Sequence, residues 1–272
     1  MISPASVAAG LAIALFVAPP LTAPFERRFL GSGPSTPGKL AYYGFTILLS
    51  CALSAIAVWI FGVERLGHLL SPGEAWVPVA FVARPLVVAF RWVWEAWPPL
   101  ASIAGLVVVA LLAAYVLLGL MPLFQSLRGA RWRRAYAKAF RRRAVGFAGI
   151  LPDTAAERLG FVLLGLNAGV CEEVLYRGFL IRYLRDGAPG LPLVLALAAA
   201  SLAFGLLHAY QGIPGILETG VGGVAFGLLF LLTGSLIPAI VVHALFDLQV
   251  AYVLRPVPDE AGQGPLSAPA PN

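Results

Sequence analysis

The chain alternates long apolar runs with short polar connections. Seven runs are each close to ~20 residues long, at 4–24, 40–63, 99–124, 157–181, 191–209, 213–233 and 236–254. A helix of ~20 apolar residues crosses the hydrocarbon core of a bilayer, because each residue adds about 1.5 Å. The pattern therefore predicts an all-α fold, a polytopic membrane bundle of about seven transmembrane helices.

One further segment is ambiguous. Residues 75–97 are mostly apolar, but Arg84, Pro85 and Arg91 interrupt them, and their Trp side chains suit the level of the lipid headgroups. We interpret this segment as interfacial or re-entrant, which leaves room for an eighth span.

The positive charge lies in one place. The net charge is +6, and residues 128–143 alone carry eight Lys and Arg and no acidic side chain. Short loops rich in Lys and Arg stay in the cytoplasm, so this segment places the N-terminus outside and argues against a nucleic-acid partner. Trp132, Tyr136 and Phe140 would form an aromatic stripe on a helix, suited to an anionic leaflet. We favour the simpler interpretation, a loop that only fixes topology.

These features divide the chain into three parts. Residues 1–150 are predicted to be N-terminal membrane helices with the basic loop, residues 151–255 a helical core that carries the chemistry, and residues 256–272 a disordered tail rich in Pro and Gly. Cys51 and Cys171 fall in two different spans, and two isolated cysteines predict neither a metal site nor a disulfide.

The fourth apolar run contains charged residues that need an explanation. Its stretch GVCEEVLYRGFL holds Glu172, Glu173 and Arg177. A charged side chain at a helix centre costs about 2.5 to 3.5 kcal/mol on insertion scales. Glu173 and Arg177 are four residues apart and share a helix face, so they are expected to pair. Glu172 then remains without an obvious partner.

Two of the three histidines lie in later spans. His243 and Asp247 share a helix face, and Phe204 lies one turn before His208. Taken alone, Glu173 and Arg177 could simply neutralise each other, His243 and Asp247 could form a buried hydrogen-bonded pair, and His208 could cap the end of its span. Taken together, ionisable side chains on three spans favour a shared cavity, since intramembrane ionisable residues usually line one and mark a functional site.

The chemistry of these residues favours hydrolysis. A carboxylate in such a cavity can act as a general base for water, and histidines can share the proton or stabilise an oxyanion. The chain contains neither G-x-S-x-G nor H-E-x-x-H, the usual local signatures of serine hydrolases and zinc proteases.

Three motifs together resemble those of a known family. EEVLYR, FGLLH and HALFD, in this order within residues 157–255, are similar to the E-E-x-x-x-R, F-x-x-x-H and H-x-x-x-N/D motifs of the CAAX-protease and bacteriocin-processing family (CPBP, Abi-like), which includes the type II CAAX prenyl endopeptidases. The resemblance implies an intramembrane endopeptidase of the bacterial inner membrane that acts on membrane-associated peptides or proteins.

The resemblance also implies residue roles. Glu172 would be the general base that activates water, helped by His208, while Glu173 and Arg177 would hold the geometry and charge balance of the site.

The oxyanion positions of the family fall on His243 and Asp247. The chain has Asp where the prenyl-protease branch has Asn, and an ionised carboxylate cannot donate a hydrogen bond. We therefore expect Asp247 to orient His243. Phe204 is expected to pack against the site and to line the substrate channel.

Several alternatives stay open. Glu172, His208 and His243 would also suit zinc as a carboxylate and two histidines; we favour a mechanism without a cofactor, because Glu172 cannot easily be both ligand and base. A proton-coupled transporter and a non-hydrolytic scaffold are the rival functions. The predicted spans place His208 near the inner face and His243 in the outer half, so the helices must tilt or begin later for the two to meet. Substrate access is expected from the cytoplasmic side.

Overall fold

The computed structural model describes residues 3–62, 69–70 and 98–255. The predicted interfacial segment 75–97 and the predicted tail 256–272 lie outside the described residues. Within the described part the chain is helical and has no strand, which confirms the predicted fold class.

Each of the seven predicted apolar runs folds as a helix. The helices are α1 (Pro4–Gly31), α2 (Thr36–Phe61), α3 (Pro98–Leu127), α4 (Ala130–Arg143), α5 (Ala155–Glu172), α6 (Ile181–Asp186), α7 (Leu193–Leu207), α8 (Gly212–Thr233) and α9 (Ile237–Val253). A π-helix, Glu173–Leu180, joins α5 to α6, and 3₁₀ turns at Val145–Ile150 and Ala209–Gln211 follow α4 and α7.

The apolar helices fall into a longer and a shorter group. Five apolar stretches of the described chain are long enough to cross a membrane: Pro4–Gly31, Thr36–Phe61, Gly105–Leu127, Ala155–Asp186 and Ala209–Thr233. The apolar helices α7 and α9 have only 15 and 17 residues. The protein is therefore an integral, multi-pass membrane protein whose late helices include two short ones.

The basic segment is a helix, α4, rather than a loop. Its inner face carries Arg133, which is buried with its guanidinium 5.8 Å from the ring of Tyr252, and Phe140, which packs in a small apolar cluster with Leu151. Trp132 is exposed. The predicted aromatic stripe is therefore divided, because Phe140 turns toward the bundle while Trp132 faces outward.

Glu157, a charged residue in the fourth apolar run, is accounted for by its position at the start of α5. Thr154 and Glu157 form a reciprocal capping box, which satisfies free N–H groups at the helix start. The buried Lys39 of α2 donates to Glu157 at 3.2 Å, to Asp153 at 2.7 Å and to the Leu151 carbonyl at 2.9 Å. This network ties α2 to the start of α5 at the end of the bundle near α4.

Glycines let α5 approach α9 closely. A Cβ added at Gly165 would lie 2.9 Å from the Cβ of Asp247, and one added at Gly169 would lie 3.0 Å from the Cβ of Ala244. Small residues four apart are a common packing device of membrane helices. The close approach of these helices brings Glu172 and His243 within reach of each other.

A larger side chain at Gly169 should separate the two helices. We expect Gly169→Val to lower the free energy of unfolding by roughly 1 to 3 kcal/mol, the usual cost of overpacking, and to lower the apparent unfolding temperature in detergent. Gly44→Val in α2 is the matched control, since nothing lies within 4 Å of an added Cβ there. Equal unfolding temperatures for the two variants would contradict this packing role.

Candidate active site

The polar residues of the late helices meet in one cavity. It has a volume of about 290 Å³, and Glu172, His208, His243 and Asp247 all line it. The rest of the wall comes from α1, α2, α4, α5, α7, α9 and the segments after α4 and α7. Its apolar members include Phe45, Leu49, Phe140, Phe147, Ile150, Phe161, Leu164 and Val250.

The cavity extends toward the basic helix. Phe140 of α4 and Phe147 and Ile150 of the following turn form part of its wall. The rule that basic segments stay in the cytoplasm predicts that this end of the cavity faces the cytoplasmic side.

A buried charge network lies behind the cavity wall. Arg177 Nη1 donates to Glu173 Oε1 at 2.9 Å, as the four-residue spacing predicts, and Arg177 Nη2 donates to the Gly223 carbonyl at 3.2 Å. The same Glu173 Oε1 lies 2.8 Å from His243 Nδ1. All three side chains are buried. Glu173 therefore joins the arginine of its own helix to the histidine of α9.

The π-helix provides the backbone for this network. All eight residues of Glu173–Leu180 are buried, and the N–H of Ile181 bonds to the carbonyl of Tyr176, five residues earlier. Single π turns occur often at functional sites. An uninterrupted α-helix was expected here, and the wider turn begins at Glu173, next to Glu172.

Two aromatic rings enclose the Arg177 guanidinium and the His243 ring. The guanidinium of Arg177 lies 4.3 Å from the ring centre of Phe204 and 5.3 Å from that of Phe226. The His243 ring stacks on Phe226 at 5.0 Å and meets Phe204 edge-on at 5.7 Å. Phe204 thus packs against both the Arg177 guanidinium and the His243 ring. Phe226 was not predicted, because no polar neighbour in its helix distinguishes it from other apolar residues.

Glu172 faces the other nitrogen of His243. Its Oε2 lies 3.7 Å from His243 Nε2, and among the described residues this oxygen has no hydrogen-bond partner. The Glu172 side chain is 16% exposed, whereas Glu173 is fully buried. The two adjacent glutamates therefore have different surroundings: Glu172 faces the cavity and Glu173 the charge network.

Asp247 does not orient His243 in the way expected from the sequence. Its Oδ2 lies 3.8 Å from His243 Nε2, beyond hydrogen-bond distance, and its side chain is 36% exposed. The oriented hydrogen bond is made by Glu173 at Nδ1. This pairing joins residues 70 positions apart, so helix periodicity within one span could not indicate it.

His208 lies immediately after α7. Its Nδ1 lies 3.1 Å from the Phe204 carbonyl, and the next two carbonyls, of Ala209 and Tyr210, accept hydrogen bonds from Arg27 of α1. A carbonyl can only accept, so Nδ1 of His208 carries the proton and Nε2 is free to accept one in the neutral ring. Helix α7 is about 22 Å long, shorter than the ~30 Å hydrocarbon core, so its end need not reach the membrane surface. His208 and His243 line the same cavity, so the mismatch in depth that the predicted spans imply does not occur.

The proposed zinc ligands do not form a metal cluster in this structure. No group of three His, Cys, Asp or Glu side chains suited to a metal ion occurs among the described residues. His208 and His243 each engage Nδ1, with a carbonyl and with Glu173, which is the bond that a metal-binding histidine usually makes through its other nitrogen. Nε2 of both rings and the Glu172 carboxylate are therefore the atoms that would hold a zinc ion.

Comparison with known protein families gives a match in the later part of the chain. The chain matches the Rce1-like family over residues 154–249. This family is described as type II CAAX prenyl endopeptidase Rce1-like, and its match contains all three motifs. The predicted family resemblance is confirmed.

The Rce1-like match has clear bounds. It begins at Thr154, the cap of α5, and ends within α9, so it covers the charge network and Glu172, His208, His243 and Asp247 of the cavity. No curated protein and no solved structure matches the chain. The match supports a membrane protease of the CAAX endopeptidase type.

Proposed function

We propose that the protein is an intramembrane endopeptidase in which Glu172 activates water for attack on a peptide bond of a membrane-associated protein or peptide. The observation that carries this proposal is the pairing of Glu172 with His243 at one cavity, with Glu173 and Arg177 buried behind them. The proposed location is the inner membrane of a bacterium.

Glu172 has the surroundings that a general base needs. The Glu172 side chain lines the cavity and is 16% exposed, so its carboxylate can meet a water molecule there, and its buried Oε2 makes no hydrogen bond within the described chain. The base takes a proton from water as the oxygen attacks the scissile carbonyl, and returns that proton to the leaving amine. His208, with Nε2 able to accept, lines the same cavity and assists this transfer.

His243 is placed to stabilise the oxyanion. Its Nδ1 is fixed by Glu173, and its ring is held between Phe204 and Phe226, so the direction of Nε2 is set. In the imidazolium form Nε2 donates to the negative oxygen of the tetrahedral intermediate. Donors fixed before the reaction are the effective ones, because no reorganisation is needed at that moment.

Asp247 has a different proposed role from the one its motif position implies. Its ionised carboxylate cannot donate to an oxyanion. It lines the cavity beside Nε2, where it can accept a hydrogen bond from a backbone N–H of the bound substrate. The apolar wall would receive the membrane-embedded part of the substrate.

Cleavage by the purified protein tests the proposal. The protein would be reconstituted into liposomes with a set of membrane-associated peptides, prenylated and unmodified, in water enriched in ¹⁸O. Expected are shorter peptides whose new C-terminal carboxylate carries ¹⁸O, detected by mass spectrometry. Intact peptides throughout, with folded protein present, would contradict the proposal.

Metal removal gives a separate expectation. Because Glu172 is proposed as base and not as ligand, activity should survive strong chelation, and elemental analysis should find no stoichiometric zinc. Loss of cleavage on chelation with recovery on adding zinc would instead assign Glu172, His208 and His243 to a metal.

A further inference from the structure

Two cysteines that are far apart in sequence meet in the folded chain. Cys51 of α2 and Cys171 of α5 are 120 positions apart, and their sulfur atoms lie 3.9 Å from each other. Both thiols are free. The prediction that these are isolated cysteines is wrong, since the packing of α2 against α5 places them face to face.

Polar side chains hold the two helices together at this point. Asn167 Nδ2 donates to both sulfur atoms, at 3.0 Å to Cys51 and at 3.3 Å to Cys171. Ser50 donates to Asn167 Oδ1 at 2.5 Å, and Ser54 donates to the Cys171 carbonyl at 3.2 Å. The helices are therefore in register around the thiol pair.

We propose that Cys51 and Cys171 form a reversible disulfide that fastens α2 to α5. A disulfide needs a sulfur–sulfur distance of about 2.05 Å, so the gap must close by roughly 1.9 Å, a change within reach of side-chain rotation and a small helix shift. Cys51 is exposed on the surface of a membrane-spanning helix, where an uncharged oxidant that enters the bilayer, such as hydrogen peroxide, can reach it, while Cys171 is buried.

The oxidation is balanced with a peroxide as the two-electron oxidant. The Cys51 sulfur attacks one peroxide oxygen, the O–O bond breaks, and a sulfenic acid and one water form. The Cys171 sulfur then displaces the second oxygen as water, forming the S–S bond. Two thiols and one hydrogen peroxide thus give one disulfide and two waters, and a dithiol reductant reverses the change.

The cross-link would join two walls of the active-site cavity. Tyr42, Phe45, Thr46 and Leu49 of α2 line the cavity, and Cys171 directly precedes Glu172. A volume of about 290 Å³ is at the small end for ligand sites, so a peptide requires α2 and α5 to move apart. The disulfide would prevent that movement. This effect on cleavage rests on the proposed function; the cross-link itself does not.

Thiol counting tests the cross-link. Protein in liposomes would be treated with hydrogen peroxide, unfolded in detergent, and labelled with a maleimide. We expect wild type to lose both thiols together, to stay monomeric on a non-reducing gel, to yield a Cys51–Cys171 peptide lighter by two hydrogens, and to regain both thiols with dithiothreitol. The Cys51→Ser variant should keep its remaining thiol under the same treatment. Separate sulfinic acids, or cross-links between two chains, would overturn the proposal.

Cleavage assays test the consequence for the cavity. Oxidation should lower kcat/KM of wild type on the order of tenfold, as expected when a required opening is blocked, and dithiothreitol should restore it. Cys51→Ser should cleave as reduced wild type does and should not respond to peroxide. If the disulfide formed fully and cleavage did not change, the inference that it keeps α2 and α5 from separating would be overturned. Absence of cleavage in every reduced variant would instead overturn the proposed function and leave the thiol counts unaffected.

Discussion

Replacing Glu172 with Gln is expected to lower cleavage by on the order of 10² to 10⁴ while the protein still inserts and folds. The amide keeps the size of the side chain but cannot accept the proton of the attacking water. The buried Glu173–Arg177 and Glu173–His243 contacts do not involve Glu172, so the scaffold should be unaffected. Initial rates in liposomes, together with the unfolding temperature in detergent, measure the two effects.

A second carboxylate provides the matched control. Glu26 of α1 lines the same cavity, but it accepts a hydrogen bond from Thr22 and belongs to none of the three motifs. Glu26→Gln removes one negative charge from the cavity wall without removing the proposed base, so it should change the rate only slightly. If Glu172→Gln and wild type cleaved equally well, Glu172 would not be the general base.

The fold class follows from hydropathy because the bilayer restricts the choices. In lipid every backbone polar group must be bonded within the segment, so an apolar run of ~20 residues can hardly be anything other than a helix. The apolar pattern therefore predicts the helices well. It does not predict the short lengths of α7 and α9, since helix ends depend on local contacts such as Arg27 with the Ala209 and Tyr210 carbonyls.

The candidate site is predictable only where its contacts lie within one helix. Glu173 and Arg177 pair as their four-residue spacing indicates. The bond from His243 to Glu173, the stacking of Phe226 on His243 and the meeting of Cys51 with Cys171 all join different helices. Such contacts are set by helix packing at small residues such as Gly169, and periodicity in one span carries no information about them.

The second large effect is expected at Glu173. Replacing it with Gln leaves the buried Arg177 without its carboxylate, and breaking a buried ion pair costs roughly 3 to 5 kcal/mol. The substitution should also disturb His243, because the same Glu173 oxygen forms a hydrogen bond with His243 Nδ1. Glu173→Gln should therefore lower both the unfolding temperature and the rate of cleavage, measured in detergent and in liposomes respectively.

Two double variants separate these consequences. Glu173→Gln with Arg177→Met removes both charges but keeps an amide oxygen that can accept from His243 Nδ1–H. Glu173→Met with Arg177→Met removes both charges and that acceptor. Both should recover much of the stability, since neither leaves a buried charge without its partner, and apolar side chains such as the two Met often replace a buried ion pair without loss. Only the pair that keeps the acceptor should recover part of the cleavage, because only there is Nε2 still directed toward the oxyanion. Equal activity in the two double variants would mean that Glu173 acts through charge alone and that its bond to His243 has no part in catalysis.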